Sequence, residues 1–140
     1  MKVRDVYTRN VVTASRGEDL ETAASRMDFH ALGCLVVLDG RSLIGLLSER
    51  DVLHAAAEGR ALGSVIVNDY MTREVLTVDP DNTLEEAAAA MVTLGARHLP
   101  VCEGGTVVGM ISARDLVAVE GFGELAEQVL SNMDDLPSLA

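Results

Sequence analysis

The stretch Gly45-Leu46-Leu47-Ser48-Glu49-Arg50-Asp51-Val52-Leu53 returns later in the chain as Gly109-Met110-Ile111-Ser112-Ala113-Arg114-Asp115-Leu116-Val117. Each copy reads as a short apolar strand that runs into a Ser, the residue type that caps a helix N-terminus, followed by a new apolar-periodic segment. The offset that carries Gly45 to Gly109 also aligns, without a gap, Val3 with Val67, Thr8-Arg9 with Thr72-Arg73, Leu20 with Leu84, Met27 with Met91 and Leu35 with Leu99. About eighteen of about fifty positions are identical, far more than shared composition gives. The chain is two copies of one supersecondary unit.

Working outward, Leu20, Ala23, Ala24 and Met27, and again Leu84, Ala87, Ala88 and Met91, recur at i, i+3, i+4 and i+7, the apolar stripe of an amphipathic helix. Thr83 followed by Glu86, after the turn Asp79-Pro80-Asp81, has capping-box spacing and marks the second of these helix starts; the first is less clearly signalled. Each helix leads to a β-rich run, Cys34 to Leu38 or Leu99 to Cys102. A Gly turn and a second apolar run follow, Ser42 to Leu47 or Thr106 to Ile111, so each copy predicts a hairpin. The expected fold is α/β (α+β): two β-α-β-β-α repeats packed about a pseudo-twofold axis, since a lone copy leaves its sheet uncovered. The boundaries expected are 1–64 for the first repeat with its linker, 65–119 for the second, and 120–140 for an acidic tail. In that tail Leu125, Val129 and Leu130 have helical spacing, so it reads either as an extra helix or as a frayed terminus.

Bulk properties narrow the function. The 140 residues, 49% hydrophobic, suffice for one sound core, and no apolar stretch is long enough to span a membrane or serve as a signal peptide, which leads us to expect a cytoplasmic protein. A formal charge of −11 argues against nucleic acid or an anionic membrane as main partner. That charge is uneven: residues 1–66 carry eight Lys/Arg against nine Asp/Glu, and 67–140 carry three against thirteen. Aromatics are only 3%, with no Trp, so stacking platforms for single strands are lacking. Cys34 and Cys102 sit in apolar runs and read as buried thiols. His30, His54 and His98 show no metal-ligand spacing, and no P-loop or catalytic constellation occurs, so neither an enzyme nor a metal site is expected.

The repeat length, the unit order and the strings GLLSERDVL, GMISARDLV and RHLPV resemble the cystathionine-β-synthase (CBS) domain family, over residues 1 to about 119. The likeness is to small bacterial proteins made of a CBS pair alone, a Bateman module. It implies a regulatory protein that binds adenosine-containing ligands, AMP, ADP or ATP, with S-adenosylmethionine or NADH in some members, in clefts between the repeats, and that signals to a separate target protein. It also implies a homodimer formed through exposed helices, for which the alanine runs at 55–57 and 87–90 are suited.

The family's ribose-phosphate motif falls on Gly45, Ser48 and Asp51 and on Gly109, Ser112 and Asp115, with Arg50 and Arg114 as added cations. The residue types suit such a ligand, because an Asp accepts two hydrogen bonds from a ribose diol, and a Ser at a helix N-cap lies beside backbone N–H groups that favour phosphate. Plain helix capping explains the same residues, and the two roles do not exclude each other. By the same resemblance, Thr13 and Ala14 with Cys34, Leu35 and Val36 would hold adenine in the first site, and Thr77 and Val78 with His98, Leu99 and Pro100 in the second. The first copy carries Gly33-Cys34-Leu35-Val36 where the second has Arg97-His98-Leu99-Pro100, a departure from the family's usual string. The duplicated Thr8-Arg9 and Thr72-Arg73 would either reach phosphates or cap the surface. A ligand-free homodimeric scaffold with decayed pockets is the alternative reading.

Overall fold

The computed structural model describes residues 1–9, 11–119 and 121–134. Of the acidic tail, Glu120 and residues 135–140 therefore lie outside the described residues. The chain forms two compact units that do not coincide with the sequence repeats. The first unit is Val12–Val75; the second joins Met1–Val11 to the described residues that follow Val75. Each copy's leading segment thus belongs to the other copy's unit.

The first unit contains β1 (Thr13–Ser15), α1 (Leu20–His30), β2 (Cys34–Asp39), β3 (Ser42–Ser48), α2 (Glu49–Ala57) and a short α3 (Val67–Tyr70). Its sheet has the order β1-β2-β3, with β1 parallel to β2 and the β2–β3 hairpin antiparallel. The helix start that sequence left vague is fixed by Asp19, whose carboxylate accepts the Thr22 N–H at 2.8 Å. Alternation along the strands sorts the side chains. Ala14, Leu35, Val37 and Leu47 enter the core with Leu20, Ala23 and Met27 of α1.

The second unit holds α4 (Leu84–Leu94), β4 (His98–Glu103), β5 (Thr106–Ser112), α5 (Ala113–Val117) and α6 (Gly123–Asp134), with a 3₁₀ turn at Val3–Asp5. Thr83 caps α4 by accepting the Glu86 N–H at 3.1 Å, but the expected box is not closed, since the Glu86 carboxylate instead accepts the Asn82 side-chain amide at 2.6 Å. The expected first strand of this copy is missing: the sheet is β4-β5 alone, and Val78 makes only an isolated parallel bridge to Val101. Pro100 supplies the reason. In the first unit Val36 donates its N–H to Val12 O at 3.2 Å, whereas Pro100, its counterpart in the second copy, has no N–H to give.

Within the tail, Gly123–Asp134 form the helix α6. Ala126 and Val129 of α6 are buried in the same cluster as Ala88, Met91 and Leu116. Of the two alanine runs, Ala55, Ala87 and Ala88 are fully buried in the cores, while Ala56, Ala57 and Ala89 are exposed.

Candidate functional site

In both units the antiparallel hairpin delivers its last residue to a helix start. Ser48 closes β3 and caps α2; Ser112 closes β5 and caps α5. The cap is reciprocal. Ser48 Oγ accepts the Asp51 N–H at 3.2 Å while Asp51 Oδ2 accepts the Ser48 N–H at 2.9 Å. Ser112 and Asp115 repeat this at 3.2 and 2.8 Å. Each Ser-x-x-Asp is therefore a capping box with Asp at the third helical position, satisfying two N–H donors that a helix terminus otherwise leaves open. The box uses one carboxylate oxygen for the backbone, and a carboxylate has acceptor capacity left on the other.

Strand register decides which sequence-predicted residues meet. Cys34 lies opposite Ser48, Val36 opposite Leu46, and Thr13 opposite Val36. Thr13, Cys34, Val36 and Ser48 thus share one face of the sheet, with Arg50 and Asp51 on the first turn of α2 beside it. Ala14 and Leu35 point to the other face and are sealed in the core, 3% and 0% exposed, and Val36 on the site face is likewise 0% exposed, so of these three only the backbones are open to a ligand in this structure. In the second unit His98 lies opposite Ser112 and Pro100 opposite Met110, and Arg114 and Asp115 lie on the first turn of α5. Val78 and Leu99 belong to that unit's core, and Thr77 is exposed.

Sequence reasoning missed a neighbour of Asp51. Thr72 is 3.4 Å from both Asp51 carboxylate oxygens, and its backbone pairs with Leu46 through bonds of 2.8 and 3.0 Å. Thr8 makes the equivalent pair with Met110, at 2.9 Å in both directions. The motif glycines are where these segments cross. A Cβ on Gly45 would come within 2.8 Å of Thr72 O, and one on Gly109 within 2.4 Å of Thr8 O. The duplicated Thr-Arg pair was the available signal; what it lacked was the exchange of leading segments. Of the arginines in those pairs, Arg73 donates to Asn68 O at 2.9 Å, and Arg9 sits 5.2 Å from the Tyr7 ring centroid.

Burial pushes the Asp51 carboxyl above its ordinary range, against the opposing bond from the Ser48 N–H. Burial, with the nearby Asp51 charge second, pushes the Cys34 thiol up to about 12, so it stays protonated and is no nucleophile. Cys102 is only half-buried, contrary to the sequence reading, and its thiol is raised by the same cause. His54 sits 3.7 Å from Glu58, whose other oxygen accepts the Tyr70 hydroxyl at 2.7 Å. Among the described residues no cluster of three or more His, Cys, Asp or Glu could hold a metal, and no helix is long and apolar enough to cross a membrane.

Comparison with known proteins matches this arrangement. The family model for the CBS domain matches residues 3–58 and 67–120. The CBS domain-containing protein YhcV of Bacillus subtilis (strain 168) is 32% identical over 132 residues, 94% of each chain. The crystal structure of a CBS-domain protein from Agrobacterium tumefaciens is 31% identical, with a TM-score of 0.77 over 84% of this chain and 97% of that one. A CBS domain pair solved in complex with 5′-methylthioadenosine and S-adenosyl-L-methionine has a TM-score of 0.74 over 82% of this chain and 91% of its own; at 23% identity the likeness is one of fold.

Proposed function

The chain belongs to the CBS domain family, and on that premise we propose that it is a non-catalytic regulatory sensor of an adenosine-containing ligand, with AMP, ADP or ATP as the leading candidates. S-adenosylmethionine and NADH complete the ligand class. The observation that supports this reading most is the duplicated capping box, which holds a half-buried carboxylate, Asp51 or Asp115, at the start of a helix with acceptor capacity toward a ribose diol. In the first unit Ser48, Arg50, Thr13 and Cys34, with the Ala14, Leu35 and Val36 backbones, would complete the site. In the second these would be Ser112, Arg114, Thr77, His98 and Pro100, with the Val78 and Leu99 backbones. Thr72 joins the first site as a neighbour of Asp51. Signalling then requires only that the ligand bind one conformation better than another and so alter a surface read by a separate target protein. A homodimer belongs to the same reading.

The self-sufficiency of the boxes favours the second reading, a ligand-free homodimeric scaffold, because Ser48 and Asp51 already satisfy each other. Calorimetric titration with AMP, ADP, ATP, S-adenosylmethionine and NADH separates the two. Asp51→Asn and Asp115→Asn keep the shape of the box but lose the charge. A sensor binds one of these ligands, and the variant at a working site binds roughly 10- to 100-fold more weakly, the scale of a hydrogen bond to a charged acceptor. No heat with any of the five at millimolar concentration gives the scaffold.

A further inference from the structure

Strand β1 is an edge of its sheet, and in its register with β2 the ladder bonds run through the residues on either side of Thr13, as in the Val36 N–H to Val12 O bond of 3.2 Å. The Thr13 carbonyl therefore faces outward, an acceptor with no strand to serve. Arg26 of α1 reaches it. Its Nη1 donates to Thr13 O at 2.9 Å and to Glu18 Oε1 at 3.0 Å, while Nη2 donates to Glu18 Oε2 at 2.6 Å. The same Glu18 Oε1 accepts the Ser15 N–H at 2.7 Å, so one guanidinium and one carboxylate hold both ends of β1. The turn that carries Glu18 is itself anchored, since Arg16 O and Glu18 O accept the Asn68 and Val67 N–H groups, each at 2.8 Å. With 29% and 22% of their side chains exposed, Arg26 and Glu18 are shielded more than an ordinary surface ion pair.

The second copy keeps half of this arrangement. Asn82 stands at the place of Glu18, and its Oδ1 accepts the Asp79 N–H at 2.7 Å just as Glu18 accepts that of Ser15. The other half is gone: Ala90 stands where α1 has Arg26, and the Asn82 amide turns to Glu86 Oε2 at 2.6 Å. An alanine has no donor for the carbonyl of Thr77, the counterpart of Thr13, and Thr77 lies exposed and outside any strand. The helix itself does not need the charged fork, since α4 forms without it and α1 is capped by Asp19 rather than Glu18. What the fork adds is a fixed place for Thr13 and Ala14.

We propose that Arg26, through Glu18, is a positioning residue for the first candidate site: it fixes Thr13 and the Ala14 backbone before a ligand arrives, so that this site binds without the ordering cost that the second must meet. The bearing on a ligand rests on the sensor reading above. Amide exchange on the full ¹⁵N-labelled chain tests the positioning with two variants. Arg26→Lys keeps the charge but loses the planar fork that spans Thr13 O and both Glu18 oxygens. The swap Glu18→Arg/Arg26→Glu restores the ion pair, yet leaves Thr13 O facing a carboxylate and the Ser15 N–H without its acceptor. Both should speed exchange at Ser15 and Val36 roughly tenfold or more, the scale of a lost hydrogen bond to a charged group, and leave the paired amides of Leu46 and Thr72 unchanged. Full protection in the swap reduces Arg26 to a plain ion pair and overturns the proposal. Equal loss at Leu46 and Thr72 overturns it too, by making Arg26 a general prop of the unit. Calorimetry with AMP, ADP, ATP, S-adenosylmethionine and NADH is run in the Asp115→Asn background, so that the heat reports the first site. Arg26→Lys should weaken binding there about tenfold. Unchanged binding, or a ligand that only the second site takes, overturns the proposal. Silence of the wild type toward all five defeats the sensor reading alone, and the exchange rates still decide whether Arg26 positions the strand.

Discussion

In the first unit Val36 donates to Val12, β1 forms, and the helical face of α1 and α2 is left open; in the second Pro100 cannot donate, the strand shrinks to a bridge, and α6 closes the helical face. The two copies keep the same Ser-Asp box through these changes, with bonds of 2.9 and 3.2 Å in one and 2.8 and 3.2 Å in the other. The duplication thus holds the hairpin-to-helix junction constant and leaves its surroundings free to diverge, so any difference between the two candidate sites must come from what borders the boxes. Cys34 borders one and His98 the other.

The crossing of the leading segments is where the comparison can be broken with the largest effect. Gly109 is the tighter of the two: an added Cβ would lie 2.3 Å from the Tyr7 ring and 2.4 Å from Thr8 O. At Gly45 the backbone contact is 2.8 Å, and the next is the flexible Met71 side chain at 2.9 Å. Gly109→Ala is expected to cost about 2–3 kcal/mol and Gly45→Ala about 1–2 kcal/mol, the range of overpacking a filled site. Urea unfolding of the two variants measures both. A larger loss at Gly45, or none at either, would show that the segments do not hold these crossings in solution.

Those crossings also mark the limit of what the sequence shows. The helix stripes, the hairpins and both Ser-x-x-Asp motifs are legible because each is a local pattern of period 3.6 or 2, or a cap, that short-range physics determines. The role of Gly45 is not legible in this way. Its partner, Thr72, lies several elements further along the chain and belongs by sequence to the other repeat, so no local pattern ties the two. Pro100 is the opposite case. Its place in the RHLPV string draws the eye to a ligand, while its missing N–H, a purely local fact, is what removes a strand.

A smaller contrast lies at the helix ends. α1 and α4 both finish in the left-handed region, α4 on Gly95 at φ +66° and α1 on Ala31 at φ +53°. Glycine adopts that conformation freely and alanine does not, so the first unit carries a cost of about 1 kcal/mol that the second avoids. Ala31→Gly should therefore raise stability by about 0.5–1 kcal/mol, after the entropy that glycine adds to the unfolded chain, and Gly95→Ala should lower it by about 1 kcal/mol. Opposite signs in denaturant unfolding are the expected outcome. A loss in both would mean that Ala31 contributes packing worth more than its strain.

The smallest expected effect concerns the charge on Asp51. Burial raises its folded-state value above that of the unfolded chain, so between those two values the folded protein binds more protons than the unfolded one. Stability contributed by this group is accordingly complete below the unfolded value and is lost as pH rises through the raised one. Other carboxylates run the other way. Glu18, held low by its bond from Arg26, and Asp81, held low by Arg4, both lose stabilisation on acidification, so the whole protein's pH curve does not isolate Asp51. The difference between wild type and Asp51→Asn does, because those contributions cancel. Melting both proteins from neutral pH downward, the wild type should gain on the variant as acid neutralises the buried carboxylate. If instead it falls behind, the bonds from Ser48 and Thr72 outweigh desolvation, and the Asp51 charge is stabilised in the folded chain before any ligand arrives.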